Sequence, residues 1–262
     1  MLTCNFDPVL LSLGPIQVRW YGLMYVVGFI LAGYLMKRSI RRGFFKIAED
    51  KIDSLITHGL IGMFLGARLF YVFIYNWDYY SQNLSELLAV WQGGLSFHGA
   101  LVGIIVGAYI FARKNKISFM QVTDAIALCG TPGLFFGRMG NLLNCELYGR
   151  VTDSPLGVIF PGGGPFPRHA SQFYEGILEG LVLSLIIYLV SKRATIYGYC
   201  GAVFLIGYGF FRFIVEYFRE ADVQLGYFFA GTTTMGQILC LLMILGGLGY
   251  MLFIRKLADP IV

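Results

Sequence analysis

Residues 137–150 read GRMGNLLNCELYGR and directly follow the apolar run AIALCGTPGLFF. Arg138, Asn141, Asn144, Glu146 and Arg150 fall within those fourteen residues. A guanidinium is permanently charged and planar, and its donors form a fork that matches two oxygens of a phosphate or carboxylate. The amides add neutral donors, and the glutamate is an acceptor that can aim them. The chemistry this grouping suits is the grip of an oxyanion at the end of an apolar helix. A single arginine there would simply reach for headgroups. Five polar residues in one island argue for a site.

A second group lies in GYGFFRFIVEYFRE, where Tyr208, Arg212 and Glu216 recur every four residues and so share one helix face. Arg212 and Glu216 either neutralise each other, or Glu216 orients the guanidinium and leaves its other donors free for phosphate oxygens. Arginines 138 and 212 near one interface suggest a phospholipid headgroup site. A third group is QGGLSFHGALVG, residues 92–103. Its His98 can accept a proton near pH 7 when neutral, or be bonded into the packing and inert. Gly99, Gly103 and Gly107 at four-residue spacing predict a close-packing helix face. Tyr21, with Trp20 and Tyr25, also fits an interfacial aromatic belt. Asp124 reads as a helix cap or a paired group, and Arg68 in LGARLFY has no partner that spacing assigns. His58, His98 and His169 are far apart and show no metal-ligand spacing, so no metal or other cofactor is expected. The absence of an HExxH pair and of matching aspartate motifs argues against an intramembrane protease.

The elements that carry these groups must be built for lipid. The 262 residues are 57% hydrophobic and 13% charged, with a mean hydropathy of +0.68. A water-soluble domain is nearer one quarter charged. A crossing helix takes roughly 20 apolar residues, and runs of that kind appear at about 18–36, 52–75, 94–112, 122–138, 174–191, 198–217 and 235–254. The expected fold is an all-α integral membrane protein with about seven transmembrane helices, in one polytopic domain over 1–262. The fourth run is interrupted by Gly130, Pro132 and Gly133, which predicts a broken helix against a cavity or protein. Thirteen of the 20 lysines and arginines cluster after the first, third, fifth and seventh runs. The positive-inside rule then places the N-terminus outside and the C-terminus in the cytoplasm. Loop elements at about 77–93, 139–173 and 218–234 are expected, by analogy, to form a small extracytoplasmic cap. The +5 net charge is accounted for by basic loops beside anionic lipid and calls for no nucleic acid. The first fifteen residues lack a basic start and carry Asp7 and two prolines, unlike a removable signal peptide. Cysteines 4, 129, 145, 200 and 240 show no paired spacing; no disulfide framework is expected, and three lie in apolar runs as small hydrophobes.

Along nearly its whole length the chain resembles the prolipoprotein diacylglyceryl transferase family of bacterial inner membranes. The resemblance is carried by FDPV and GP at the start, VRWYGLMYVVGF, FLGARLFYV, GGLSFHG, GRMGNLLNCELYGR, RHASQFYE, LIGYGFFRFIVEYFRE and MGQILC. The fourteen-residue block is similar to the family signature GR-x-GNF-x-NGE-x-x-GR, with Leu142 for its Phe and Cys145 for its Gly. Ala100 and Ala170 replace a Gly and a Pro common in the family. The resemblance implies transfer of the sn-1,2-diacylglyceryl group from phosphatidylglycerol to the lipobox cysteine thiol of a preprolipoprotein, with release of glycerol phosphate. It places Tyr21, His98, Arg138, Asn141 and Gly149 among residues the family depends on. Glu146, Tyr208, Arg212 and Glu216 fall in its supporting set.

On that reading Arg138 and Arg212 clamp the phosphate, and Asn141 is a neutral donor to the same group, beside Asn144 and Arg150. Gly149 is expected to supply a tight turn open only to glycine. His98 is the candidate general base, with Tyr21 or the substrate phosphate as alternatives. Cys145 would be a thiol open to modification beside an alkylating site. A transporter also uses broken helices and intramembrane arginines, but these charges crowd one leaflet and no internal repeat is visible. A non-catalytic lipid-binding scaffold is the third class.

Overall fold

The computed structural model describes residues 2–13, 16–87, 89, 93–220, 227–228 and 233–257. Parts of two expected cap loops, 88, 90–92, 221–226 and 229–232, lie outside the described residues, as do Gly14 and Pro15 of the GP motif. In chain order come β1 (Leu2–Thr3), β2 (Val9–Leu13), β3 (Ile16–Arg19), α1 (Trp20–Arg41), α2 (Ile52–Phe70), α3 (Trp77–Tyr80), α4 (Phe97–Asn115), α5 (Phe119–Leu143), β4 (Val158–Ile159), α6 (Ser171–Glu175), α7 (Leu183–Ser191), α8 (Tyr199–Val215), β5 (Tyr227–Phe228), β6 (Thr233–Thr234) and α9 (Met235–Leu257). The segment Gly176–Val182 is π-helical and joins α6 and α7 into one rod. Tyr71–Tyr75 extends α2 in the same way.

Helices thus occupy every apolar run seen in the sequence. Among the described residues, five are long and apolar enough to cross a bilayer: Trp20–Arg41, Glu49–Tyr75, Phe119–Leu143, Ser171–Ser191 and Met235–Lys256. Tyr199–Val215 is a shorter apolar helix. On α9, Leu242, Leu245, Leu252 and Phe253 are all more than half exposed, as expected where lipid replaces water. Among the described residues the strands form three two-stranded pairs, β1 with β4 in parallel and β2–β3 and β5–β6 antiparallel. These pairs are a minor addition to a helical fold.

The chain divides into two compact units, Lys37–Thr123 and Met1–Met36 with Asp124–Val262. In the first, α2 and α4 pack through the glycine row foreseen from spacing. A Cβ built on Gly62 would strike Gly103 O, one on Gly66 Gly99 O, and one on Gly107 His58 O. Small residues let the two backbones touch, the usual means of helix association where no hydrophobic drive exists. Ser96 caps α4 by accepting the Gly99 N–H at 3.1 Å. Arg68, unassigned by spacing, is 4% exposed and organises the loop ahead of α4. Its Nε donates to Leu87 O (2.8 Å), Nη1 to Gly93 O (2.8 Å) and Gly94 O (3.1 Å), and Nη2 to Glu86 O (2.8 Å) and Tyr80 Oη (3.3 Å). Those bonds satisfy the buried cation without a carboxylate.

In the other unit, α5 corrects one expectation: it runs unbroken through Gly130, Pro132 and Gly133. Proline removes one backbone donor, and the Thr131 hydroxyl adds a bond to Ala127 O (2.5 Å) in the same turn. Asp124 is a cap, but of a distant helix. Its Oδ2 and Oδ1 each accept at 2.8 Å from Gly198 N and Gly201 N at the start of α8. Gly180 sits against the Phe135 backbone, where a Cβ would lie 2.7 Å from Phe135 N, so the α6–α7 rod closes directly on α5.

One disulfide, Cys4–Cys145, overturns the expectation that the cysteines are unpaired. Spacing gave no sign of it because 141 residues separate the partners. Cys145 is therefore not a free thiol. Cys129, Cys200 and Cys240 lie outside that disulfide and are buried, as small hydrophobes.

Candidate active site

Everything polar at the end of α5 is folded back on itself. Asn144 N, Cys145 N and Glu146 N donate to Gly140 O, Leu142 O and Asn141 O at 3.0, 3.0 and 3.1 Å. The reversal uses left-handed backbone at Cys145 (φ 53°) and Leu147 (φ 58°). A non-glycine residue there costs about 1–2 kcal/mol, and at 145 the family pattern has glycine. The turn brings the Glu146 carboxylate to Asn141 Nδ2 (2.9 Å) and Asn144 Nδ2 (3.2 Å). Gln172 Nε2 and Ser171 Oγ, opening α6, donate to Glu146 O (2.6 Å) and Leu147 O (3.1 Å).

Gly149 has a different role from the one expected. Its φ is not in the left-handed region; a tight turn is not the reason for glycine. Its N–H donates to His169 O at 2.8 Å, and a Cβ there would collide with Phe218 O and meet His169 O and Cβ at 3.1 Å. Three strands of chain meet at this residue with no room for a side chain. Arg150 extends the same frame, its Nε donating to Arg219 O at 2.6 Å and its N–H to Phe218 O at 2.9 Å. His169 lies edge-on to Tyr174 and Phe218, and burial lowers its pKa, keeping the ring neutral at pH 7.

The centre of the cluster is a residue that spacing did not single out. Glu175, at the end of α6, is fully buried. Its Oε2 is 2.7 Å from Arg138 Nε and 3.0 Å from Arg212 Nη1, and its Oε1 is 2.9 Å from Arg219 Nη1. Guanidiniums from α5, from α8 and from the turn after α8 thus converge on one carboxylate. The available signal was the last letter of RHASQFYE, a carboxylate at the mouth of an apolar run. Arg138 also approaches Asn141 Oδ1, at 3.5 Å, and its Nη2 has no partner among the described residues.

Glu216 backs the same group. Its Oε2 is 3.5 Å from both Arg212 Nη2 and Arg219 Nε, while Oε1 accepts from Thr234 Oγ1 at 3.0 Å. The four-residue row is therefore real: Arg212 and Glu216 pair, and Tyr208, one turn earlier, stacks on Phe204. Glu179, one turn past Glu175 in the π segment, approaches Arg212 at 3.8 Å, and its Oε1 makes no hydrogen bond among the described residues. The side chains of Arg138, Arg212 and Arg219 keep 24%, 18% and 18% exposure, so the cations reach the surface of the cluster while the glutamates stay beneath.

Tyr21 packs on this end of α5: a Cβ on Gly140 would lie 3.0 Å from its ring, and its hydroxyl is 3.0 Å from that of Tyr25. Arg138, Asn141, Asn144, Glu146, Arg212 and Glu216 are thus brought into one network, with Gly149 and Arg150 in its frame. His98 belongs to the other unit, exposed on the first turn of α4 with Nδ1 3.2 Å from Tyr75 Oη. Among the described residues no group of three or more histidines, cysteines or carboxylates is placed to hold a metal ion.

Such a cluster can fix an anionic oxygen in a water-poor setting, where directed donors act most strongly. The chain is similar to known proteins along most of its length. Residues 8–253 match the family model described as prolipoprotein diacylglyceryl transferase. A protein from Nitratidesulfovibrio vulgaris is 45% identical over 244 residues, 93% of each chain. One from Pasteurella multocida is 48% identical over 248 residues, covering 95% of this chain and 92% of the relative. One from Photobacterium profundum is 47% identical over 256 residues, 98% and 96% of the two chains. All three bear the name phosphatidylglycerol–prolipoprotein diacylglyceryl transferase. Matched over almost its full length, this chain belongs to the prolipoprotein diacylglyceryl transferase family.

Proposed function

We propose that the protein transfers the sn-1,2-diacylglyceryl group of phosphatidylglycerol to the lipobox cysteine of a preprolipoprotein, at the periplasmic leaflet of the bacterial inner membrane. Seven crossings, with the N-terminus in the periplasm and the C-terminus in the cytoplasm, fit the basic loops. The observation that carries the reading is the meeting of Arg138 and Arg212 at one oxygen of Glu175. Two guanidiniums from separate helices so close together are placed to share one phosphodiester.

In the reaction the thiol gives up its proton and its sulfur bonds to the glyceryl carbon. The carbon–oxygen bond breaks, and its electron pair leaves on the oxygen of glycerol phosphate. Negative charge on that oxygen grows towards the transition state, so donors held there lower the barrier more than they tighten ground-state binding. Arg138, with its uncommitted Nη2, is the principal donor and Arg212 the second. Asn141 is a neutral donor whose direction is set by Glu146. A free thiol has a pKa near 8.5, so a proton acceptor or nearby positive charge raises the fraction that reacts. His98 is the candidate acceptor, with Tyr21 or the substrate phosphate as alternatives.

The test is incubation of the purified protein with phosphatidylglycerol and a lipobox peptide, followed by mass spectrometry. A diacylglyceryl adduct on the cysteine is expected. Unchanged peptide with bound or translocated lipid would favour a scaffold or a transporter.

A further inference from the structure

Glu175 presents a physical puzzle. A carboxylate at the heart of a site meant for phosphate competes with the substrate for the same cations. If it served only to neutralise buried arginines, one arginine and one glutamate would do. Here three guanidiniums share the two oxygens of a fully buried carboxylate, at 2.7, 3.0 and 2.9 Å. No one of the three comes from the same helix as Glu175. The carboxylate thereby fixes the separation and direction of forks that arise on α5, on α8 and after α8.

Resting on the transferase reading, we propose that Glu175 is the positioning residue of this site, with two effects of opposite sign. It sets Arg138 and Arg212 at the spacing a phosphodiester needs, and it cancels enough of their charge to let the product go. The substrate diester carries one negative charge, whereas the released glycerol phosphate is a monoester with a second pKa near 6 and about −1.5 to −2 charges at pH 7. An arginine cluster without its carboxylate would hold that product more tightly than the substrate. Glu216 supports Arg212 and Arg219 from 3.5 Å but does not reach Arg138, so it cannot take over the first task.

The experiment compares wild type with Glu175→Gln and Glu175→Asp. It measures kcat and KM for phosphatidylglycerol in the lipobox assay, glycerol phosphate affinity by calorimetry, and thermal unfolding in detergent. Glu175→Gln is expected to lose at least tenfold in kcat while binding glycerol phosphate several-fold more tightly. Glu175→Asp keeps the charge on a shorter stem. It is expected to retain wild-type product affinity and recover part of kcat. A merely structural role would lower kcat, product affinity and unfolding temperature together in both variants, and that result overturns the proposal. So does a glutamine variant with unchanged kcat and unchanged affinity. Should wild type itself add no diacylglyceryl mass, the transferase reading fails, and the calorimetric comparison still decides what Glu175 does to a bound phosphate.

Discussion

Arg138→Ala separates chemistry from folding more cleanly than any other change at this site. The side chain is 24% exposed, and its one short contact is the 2.7 Å pair with Glu175. Removing a sole partner from a buried ion pair costs about 3–5 kcal/mol. Glu175, however, keeps Arg212 at 3.0 Å and Arg219 at 2.9 Å, so it is not left as a bare charge. The stability cost should therefore fall well below that range, at about 1 kcal/mol, a typical value for one mutation. Losing a donor aimed at developing negative charge costs about 10²–10³ in kcat, or roughly 3–4 kcal/mol. Arg138→Lys keeps the charge but not the fork, and is expected to recover only part of that loss. The assay is lipobox-peptide turnover at saturating phosphatidylglycerol, alongside thermal unfolding in the same detergent. Turnover of Arg138→Ala within threefold of wild type would refute the clamp. A loss matched by unfolding would refute the separation of the two effects.

Further consequences can be measured in the same system. Gly149→Ala should displace the loop from Phe218 O and His169 and lower turnover at least tenfold, and near-normal activity would show that the close approach is dispensable. Gly103→Leu should prevent α2 and α4 from meeting at Gly62 and Gly66, and lower the yield of folded protein in membranes. Cys4→Ser should lower the unfolding temperature by several degrees, with reductant reproducing the shift in wild type but not in the variant, because the bond tethers the N-terminal segment to the signature loop. His98→Gln should lower turnover about 10²-fold if the imidazole takes the thiol proton; unchanged turnover would remove it from that role.

What the sequence made legible was local. Apolar runs marked the helices, four-residue spacing put Tyr208, Arg212 and Glu216 in a row, and Gly99, Gly103 and Gly107 announced a close-packing face, though not its partner α2. What stayed hidden depended on partners far along the chain. Glu175 takes its meaning from arginines 37 and 44 residues away, and Arg68 from backbone carbonyls that carry no sequence signal. Cys4 and Cys145 are 141 residues apart, beyond the reach of any spacing rule. Pro132 misled in the other direction, because a breaker read in isolation takes no account of the packed helix around it, and α5 runs on through it. Gly149 was marked as essential for the wrong reason, since only the fold reveals which backbones crowd it.

The most direct measurement is an experimental structure of the protein with phosphatidylglycerol bound. The lipid phosphate is predicted to lie with oxygens about 3 Å from both Arg138 and Arg212, the distance of a charge-assisted hydrogen bond. A headgroup seated away from these two side chains, in a protein that still transfers diacylglyceryl, would contradict it.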